Sequence, residues 1–326
     1  MEAESPFVST GELPPAELAR QVVVEAYERY RTTADGDVSD VYPALARVPA
    51  DLFGICVVST NGAVFSVGDA EVEFAIMSVA KPFVFALVCE RLGPDEARRL
   101  LGVNSTGLAF NSLSAIERSG DGRTNPMVNP GAIAATSLVP GATAEAKWEF
   151  VRDGISRFAG RPLSLDAETY ASASETNARN QSIARLLESY GRIDGDPADA
   201  TDVYTRQSCL KVTARDLAVM GSTLADGGVN PLSGERVIEA ATCRYTLAVM
   251  ATAGLYETSG DWLYDVGLPG KSGIGGGIVT VAPGKGGLGT FAPRLDPAGN
   301  SVRGQLAARL LSKRLGLDIF LSRPAA

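Results

Sequence analysis

The chain of 326 residues contains no histidine. That absence excludes every nucleophilic device built on an imidazole base, Ser-His-Asp and Cys-His arrangements alike. It also removes the commonest partner ligand of mixed zinc sites. Cysteine is scarce: Cys56, Cys89, Cys209 and Cys243 lie far apart, and no two have C-x-x-C spacing. The expectation is four reduced, buried thiols and no metal; a four-thiolate site would require all four to converge. Positive charge is in deficit, with 30 Lys and Arg against 38 Asp and Glu and a net charge of −8. No basic stripe marks a nucleic-acid surface, so no nucleic-acid partner is expected. Long apolar runs are missing too, none approaching the roughly 20 residues that span a bilayer. Met1 to Pro6 is acidic where a secretory leader is basic. No membrane partner is expected, and residence in the cytoplasm.

Hydrophobic residues make up 45% of the chain, enough for a substantial core in one large domain or two modest ones. Residues 15–31 have helical periodicity, with Leu18, Val22 and Ala26 on one face. Leu52 to Val58 and Ala63 to Val67 read as strands joined by the turn Ser59-Thr60-Asn61-Gly62. A helix is expected to begin near Ser78. From about 95 to 255 the pattern is mostly helical, with segments at Pro94–Leu101, Gly131–Leu138, Ala144–Phe158, Arg179–Tyr190, Ala214–Ala225 and Gly234–Ala251. Strands return at Lys271–Ala282 and Gly287–Phe291 around the turn Pro283-Gly284-Lys285-Gly286, and Gly304–Leu315 reads as a closing amphipathic helix. A frayed tail is expected from Arg323. Strands at both chain ends and helices between them imply an α+β architecture, an antiparallel sheet assembled from both ends with a helical insertion.

The chemistry centres on Ser78-Val79-Ala80-Lys81. Three residues apart on a helix, a serine and a lysine share one face, and the lysine amine can take the serine proton. Taken alone, such a tetrapeptide occurs by chance in many proteins, as an exposed pair. Here it precedes the apolar run Pro82 to Cys89. A lysine on a buried helix needs a reason, and desolvation lowers its pKa toward that of a working base. A second element is Lys271-Ser272-Gly273, followed by Ile274-Gly275-Gly276-Gly277. A Lys-Ser/Thr-Gly strand is the partner of Ser-x-x-Lys in serine β-lactamases and penicillin-binding proteins, but their Ser-Asp-Asn element is missing. Gly270-Lys271-Ser272 also suggests a phosphate loop, but that loop would need glycine where Asp265 stands.

Six further segments occur in fixed order. They are Phe110-Asn111-Ser112, Asn125 to Ile133 (NPMVNPGAI), Ala178-Arg179-Asn180, Tyr204-Thr205-Arg206-Gln207, Arg215-Asp216-Leu217-Ala218 and Gly267 to Gly273 (GLPGKSG). Together with Ser78 and Lys81 they resemble the serine-dependent glutaminases, which share the β-lactamase/transpeptidase-like fold, from about residue 40 to the C-terminal helix. The resemblance implies a single domain over 1–326, its α/β part about 1–92 plus 256–326 and its helical part about 93–255. It implies hydrolysis of the L-glutamine side-chain amide to glutamate and ammonia, without cofactor, by a homodimer or homotetramer. Ser78 would be the nucleophile and Lys81 the base. Tyr256 would relay a proton to the leaving ammonia, and Tyr204 would contact substrate. Asn129 and Asn180 would hold the amino-acid end, and the amides of Ser78 and Ile274 would form the oxyanion hole. Read without the resemblance, Tyr204 and Tyr256 could equally be half-buried aromatics and Asn129 a turn residue.

Two positions depart from the family pattern. The family glutamate that binds the substrate ammonium, seven positions ahead of Asn180, is Ala173 here; Glu175, two residues on, is the candidate substitute. The tyrosine of the family's Tyr-Ile-Pro is displaced to Tyr42 in Val41-Tyr42-Pro43. Two other readings stay open on sequence alone: a β-lactamase-like hydrolase or peptidase, and a glutamine-binding protein without turnover.

Overall fold

The computed structural model of the chain describes residues 13–321. The acidic Met1–Pro6 segment and the expected tail from Arg323 lie outside the described residues. The architecture is α+β. Its centre is a five-stranded, wholly antiparallel sheet. In spatial order the strands are Val64–Gly68, Gly54–Ser59, Gly286–Phe291, Gly277–Ala282 and Gly270–Ser272. Two strands from the first quarter of the chain thus pair with three from the last, and the pair Gly54–Ser59 with Gly286–Phe291 joins the two ends.

Period-two alternation explains how strand Gly54–Ser59 is buried throughout. Ile55 and Val57 face the cluster formed with helices Ala16–Tyr30 and Val302–Leu315. Cys56 and Val58 face Ala218 and Val219 of helix Ala214–Ala225 on the other side. Helix Ala214–Ala225 begins where expected because Thr213 and Asp216 form a reciprocal capping box. It lies flush on the sheet, although it comes from the middle of the chain. The remaining middle helices build the larger core around helix Lys81–Leu92, whose residues from Lys81 to Cys89 are all buried.

Three expectations are corrected. In helix Ala16–Tyr30 the buried face is Ala19, Val22, Val23 and Ala26, and Leu18 is exposed. The stretch Lys271–Ala282 is two strands, not one: the Gly273 N–H donates to the Gly277 carbonyl and closes a turn between them. The helix expected from Gly234 starts at Ala240, after the Glu90 carboxylate accepts from the Glu239 N–H and the Thr242 hydroxyl.

Candidate active site

Ser78 sits in a single 3₁₀ turn, Met77–Ala80, between the short strand Phe74–Ala75 and helix Lys81–Leu92. In a 3₁₀ turn residues i and i+3 eclipse, so the turn serves the Ser78–Lys81 pairing more directly than the expected α-helical start. The turn is entered through Met77 at φ +49°, one of two non-glycine residues in the left-handed region among the described residues; the other is Tyr256 at +55°. Such backbone costs about 1–3 kcal/mol per residue and collects at functional sites. Ser78 is half-buried and borders a cleft.

Lys81 is 2% exposed. Its Nζ donates to Asn129 Oδ1 at 2.6 Å and lies 5.9 Å from the centre of the Tyr204 ring. Burial alone draws its pKa from 10.5 to about 7. A second lysine, Lys271, is fully buried with Nζ 4.3 Å from the centre of the Tyr256 ring, donating to the Ser272 carbonyl at 2.7 Å. Burial first, then the charge of Lys81, holds its pKa well below the ordinary lysine value.

Tyr256 is buried in the turn Tyr256–Thr258, against the Phe110 ring at 4.8 Å. Burial pushes its pKa up to about 12, against hydrogen bonds with Ser78 and Ser272 that pull it down. The phenol is therefore protonated at neutral pH, and its hydroxyl donates to the Ser272 carbonyl at 3.4 Å. Tyr204 is likewise held neutral by burial, and its hydroxyl donates to Asn129 Oδ1 at 3.0 Å.

Asn129 is thus fixed by two donors on one oxygen. Its Nδ2 donates to Asn180 Oδ1 at 3.0 Å, and Asn180 Nδ2 donates to Asn177 Oδ1 at 2.8 Å. Asn177 Nδ2 then donates to Thr205 Oγ1 at 2.7 Å, and Thr205 to the Thr201 carbonyl at 2.7 Å. The relay orients the side-chain amides of Asn129, Asn180 and Asn177 on the cleft wall. Asn177 and Thr205 were not among the residues expected from sequence. The available signals were the i, i+3 spacing of Asn177 and Asn180 and the position of Thr205 beside Tyr204.

Ile274 follows the strand Gly270–Ser272 and lines the cleft. Its N–H makes no backbone hydrogen bond among the described residues. Gly273 brings this segment close: a Cβ there would lie 3.2 Å from the Ser78 nitrogen.

The cleft holds about 140 Å³ and is bordered by Ser78, Asn129, Asn180, Tyr204 and Ile274, with Tyr42 and Val41 at its edge. Tyr42 therefore does reach it. Glu175 does not. Ala173 is 2% exposed and lines the cleft, whereas Glu175 at the end of the same helix is exposed and outside it. Two residues along a helix turn the side chain through about 200°, so the two positions cannot share a face. A larger groove, about 740 Å³ between Trp148 and Glu235, contains none of these side chains. Among the described residues no three Cys, Asp or Glu side chains gather to hold a metal. All four cysteines are buried and unpaired; burial raises Cys56, Cys209 and Cys243 to about 12 and Cys89 to about 11.

A family model described as Glutaminase matches residues 36–320. The chain is 67% identical over 318 residues to Glutaminase 2 of Yersinia pestis, covering 98% of this chain and 94% of that one. Among solved structures it is similar to the probable glutaminase ybaS, with a TM-score of 0.93 and 42% identity over 95% of this chain and 100% of that one. It is also similar to Mglu in its glutamate form, with a TM-score of 0.88 and 38% identity over 93% of this chain and 70% of that one.

Proposed function

The chain belongs to the glutaminase family, and from that premise we propose that it hydrolyses the side-chain amide of L-glutamine through an acyl-enzyme on Ser78. The observation that carries this reading is Lys81: buried, without a carboxylate partner among the described residues, its pKa near 7, and one turn from the half-buried Ser78. A primary amide needs an activated nucleophile, a stabilised oxyanion and a protonated leaving group. Neutral Lys81 takes the Ser78 hydroxyl proton as Oγ attacks the amide carbon. The amides of Ser78 and Ile274 receive the oxyanion. The C–N bond breaks as Tyr256 delivers a proton to the departing nitrogen, and Lys81 returns the proton to the Tyr256 oxygen. Water then attacks the ester by the same route and regenerates Ser78, leaving glutamate. Asn129, Asn180 and Tyr204 hold the amino-acid end of the substrate. No cofactor takes part.

Replacing Ser78→Ala is expected to lower ammonia release by at least about 10³-fold with an unchanged melting temperature. Substantial turnover in the folded variant would rule out the covalent route.

We also propose a cytoplasmic homodimer or homotetramer built from a single domain, the sheet-bearing part supplied by both chain ends and helix Ala214–Ala225 shared with the helical part. Four unpaired cysteines suit a reducing compartment. No helix among the described residues is long and apolar enough to cross a membrane.

A further inference from the structure

We propose that the cleft selects ω-amides of short dicarboxylic acids that carry no α-ammonium, such as glutaramate, over L-glutamine. This rests on the amidohydrolase reading above and concerns only what the site accepts beside the scissile amide.

The argument starts from charge. Among the described residues no aspartate or glutamate lines the cleft, and Arg179 is the only charged side chain that does. Behind the wall lie two buried lysines, Lys81 and Lys271, and no buried carboxylate pairs with either among the described residues. Glu175 is turned to the opposite side of its helix. An ammonium entering this cleft would lose its hydration and meet the Arg179 guanidinium with no carboxylate on the wall to pair with it. A buried charge without a partner is among the most costly arrangements in a protein.

The wall beside the asparagines is also apolar. Ala173, Met77 and Cys209 form one buried cluster with Leu45 and Ala75, and Tyr42 and Ile274 pack against it. The Cys209 thiol stays neutral, raised to about 12 by burial. This surface suits a methylene or another uncharged α-substituent and desolvates it at no electrostatic cost.

The opposite end is provided for. Arg179 is held at the cleft by its Nε, which donates to the Asn111 carbonyl at 3.0 Å. The rest of its guanidinium remains for an anion. The relay from Asn129 through Asn180 to Asn177 presents amide groups that serve a carboxylate equally well. A cleft of about 140 Å³ leaves no room for a large N-acyl substituent. A five-carbon monoanion with one carboxamide fits the charge, the polarity and the size together.

The test compares ammonia release from glutaramate and from L-glutamine by the wild-type protein and by Ala173→Glu and Ala173→Gln. The expected wild-type kcat/KM favours glutaramate by at least about tenfold, the factor set by one missing charge-assisted hydrogen bond. Ala173→Glu should reverse the ratio, chiefly by lowering KM for glutamine, and the neutral Ala173→Gln should not. A wild-type ratio of one or less overturns the proposal, as does a ratio that Ala173→Glu leaves unchanged in a folded protein. If neither amide is hydrolysed, the amidohydrolase reading has failed, and selectivity is then read by calorimetry of glutarate against L-glutamate. Tighter glutarate binding upholds it, and equal or tighter glutamate binding overturns it.

Discussion

Lys81 decides the pH behaviour of this protein. In the free protein it must be neutral to accept the Ser78 proton, and its pKa is about 7. kcat/KM is therefore expected to rise about tenfold per pH unit below 7 and to level off above it. A profile flat between about pH 5.5 and 8 would remove Lys81 as the base. The same shift has a stability consequence. The unfolded lysine titrates near 10.5 and the folded one near 7, so between these values the unfolded chain binds more protons. Stability from this group is full above the unfolded value and is lost as pH falls through 7. Lys81→Met, similar in shape and uncharged, should abolish ammonia release while keeping or raising the melting temperature at pH 7. The lysine's identity and its spacing from Ser78 were legible in the sequence, as was an apolar run after it. Its pKa was not, because desolvation depends on what the rest of the chain places around it. The same limit applies to Ala173 and Glu175. Both were visible as letters, but which one faces the substrate depends on helical phase relative to the core.

At the scale of elements, close backbone approaches matter most. Strand Gly286–Phe291 accepts helix Ala214–Ala225 because Gly289 has no side chain: a Cβ there would come within 1.9 Å of the Ala214 carbonyl oxygen. Gly289→Ala is expected to cost about 1–3 kcal/mol and to lower the melting temperature by several degrees. Gly260→Ala, in helix Ser259–Val266 with open space around it, should leave it unchanged or raise it. Equal effects from the two substitutions would refute the packing argument. Local signals located most elements well where caps or turns were explicit, as at Thr213 and Asp216 or at Asn61-Gly62. They failed where a distant group set the boundary. Helix Ala240–Ala253 begins where Glu90 from another helix meets Glu239 and Thr242. Gly273 and Gly276 turn the chain back on itself, the Gly273 N–H donating to the Gly277 carbonyl and the Gly276 N–H to the Gly273 carbonyl.

For the whole molecule, the assembly proposed above is checked by light scattering. A homodimer or homotetramer should give two or four times the 34.0 kDa chain mass, and a single-chain mass at micromolar concentration would overturn it. The sequence by itself determined what the chemistry is not: without histidine no imidazole base serves Ser78, which leaves lysine or tyrosine. The ordered segments from Phe110 to Gly273 identified the family, and strands at both ends implied the antiparallel sheet. Residue types and their order along the chain suffice for that. Only the tertiary structure decided the strained turns at Met77 and Tyr256, the Asn129–Asn180–Asn177–Thr205 relay, the burial that brings Lys81 to about 7 and the cleft without a carboxylate. Each of these depends on groups distant in sequence sharing one low-dielectric space, and that proximity exists only once the chain has packed.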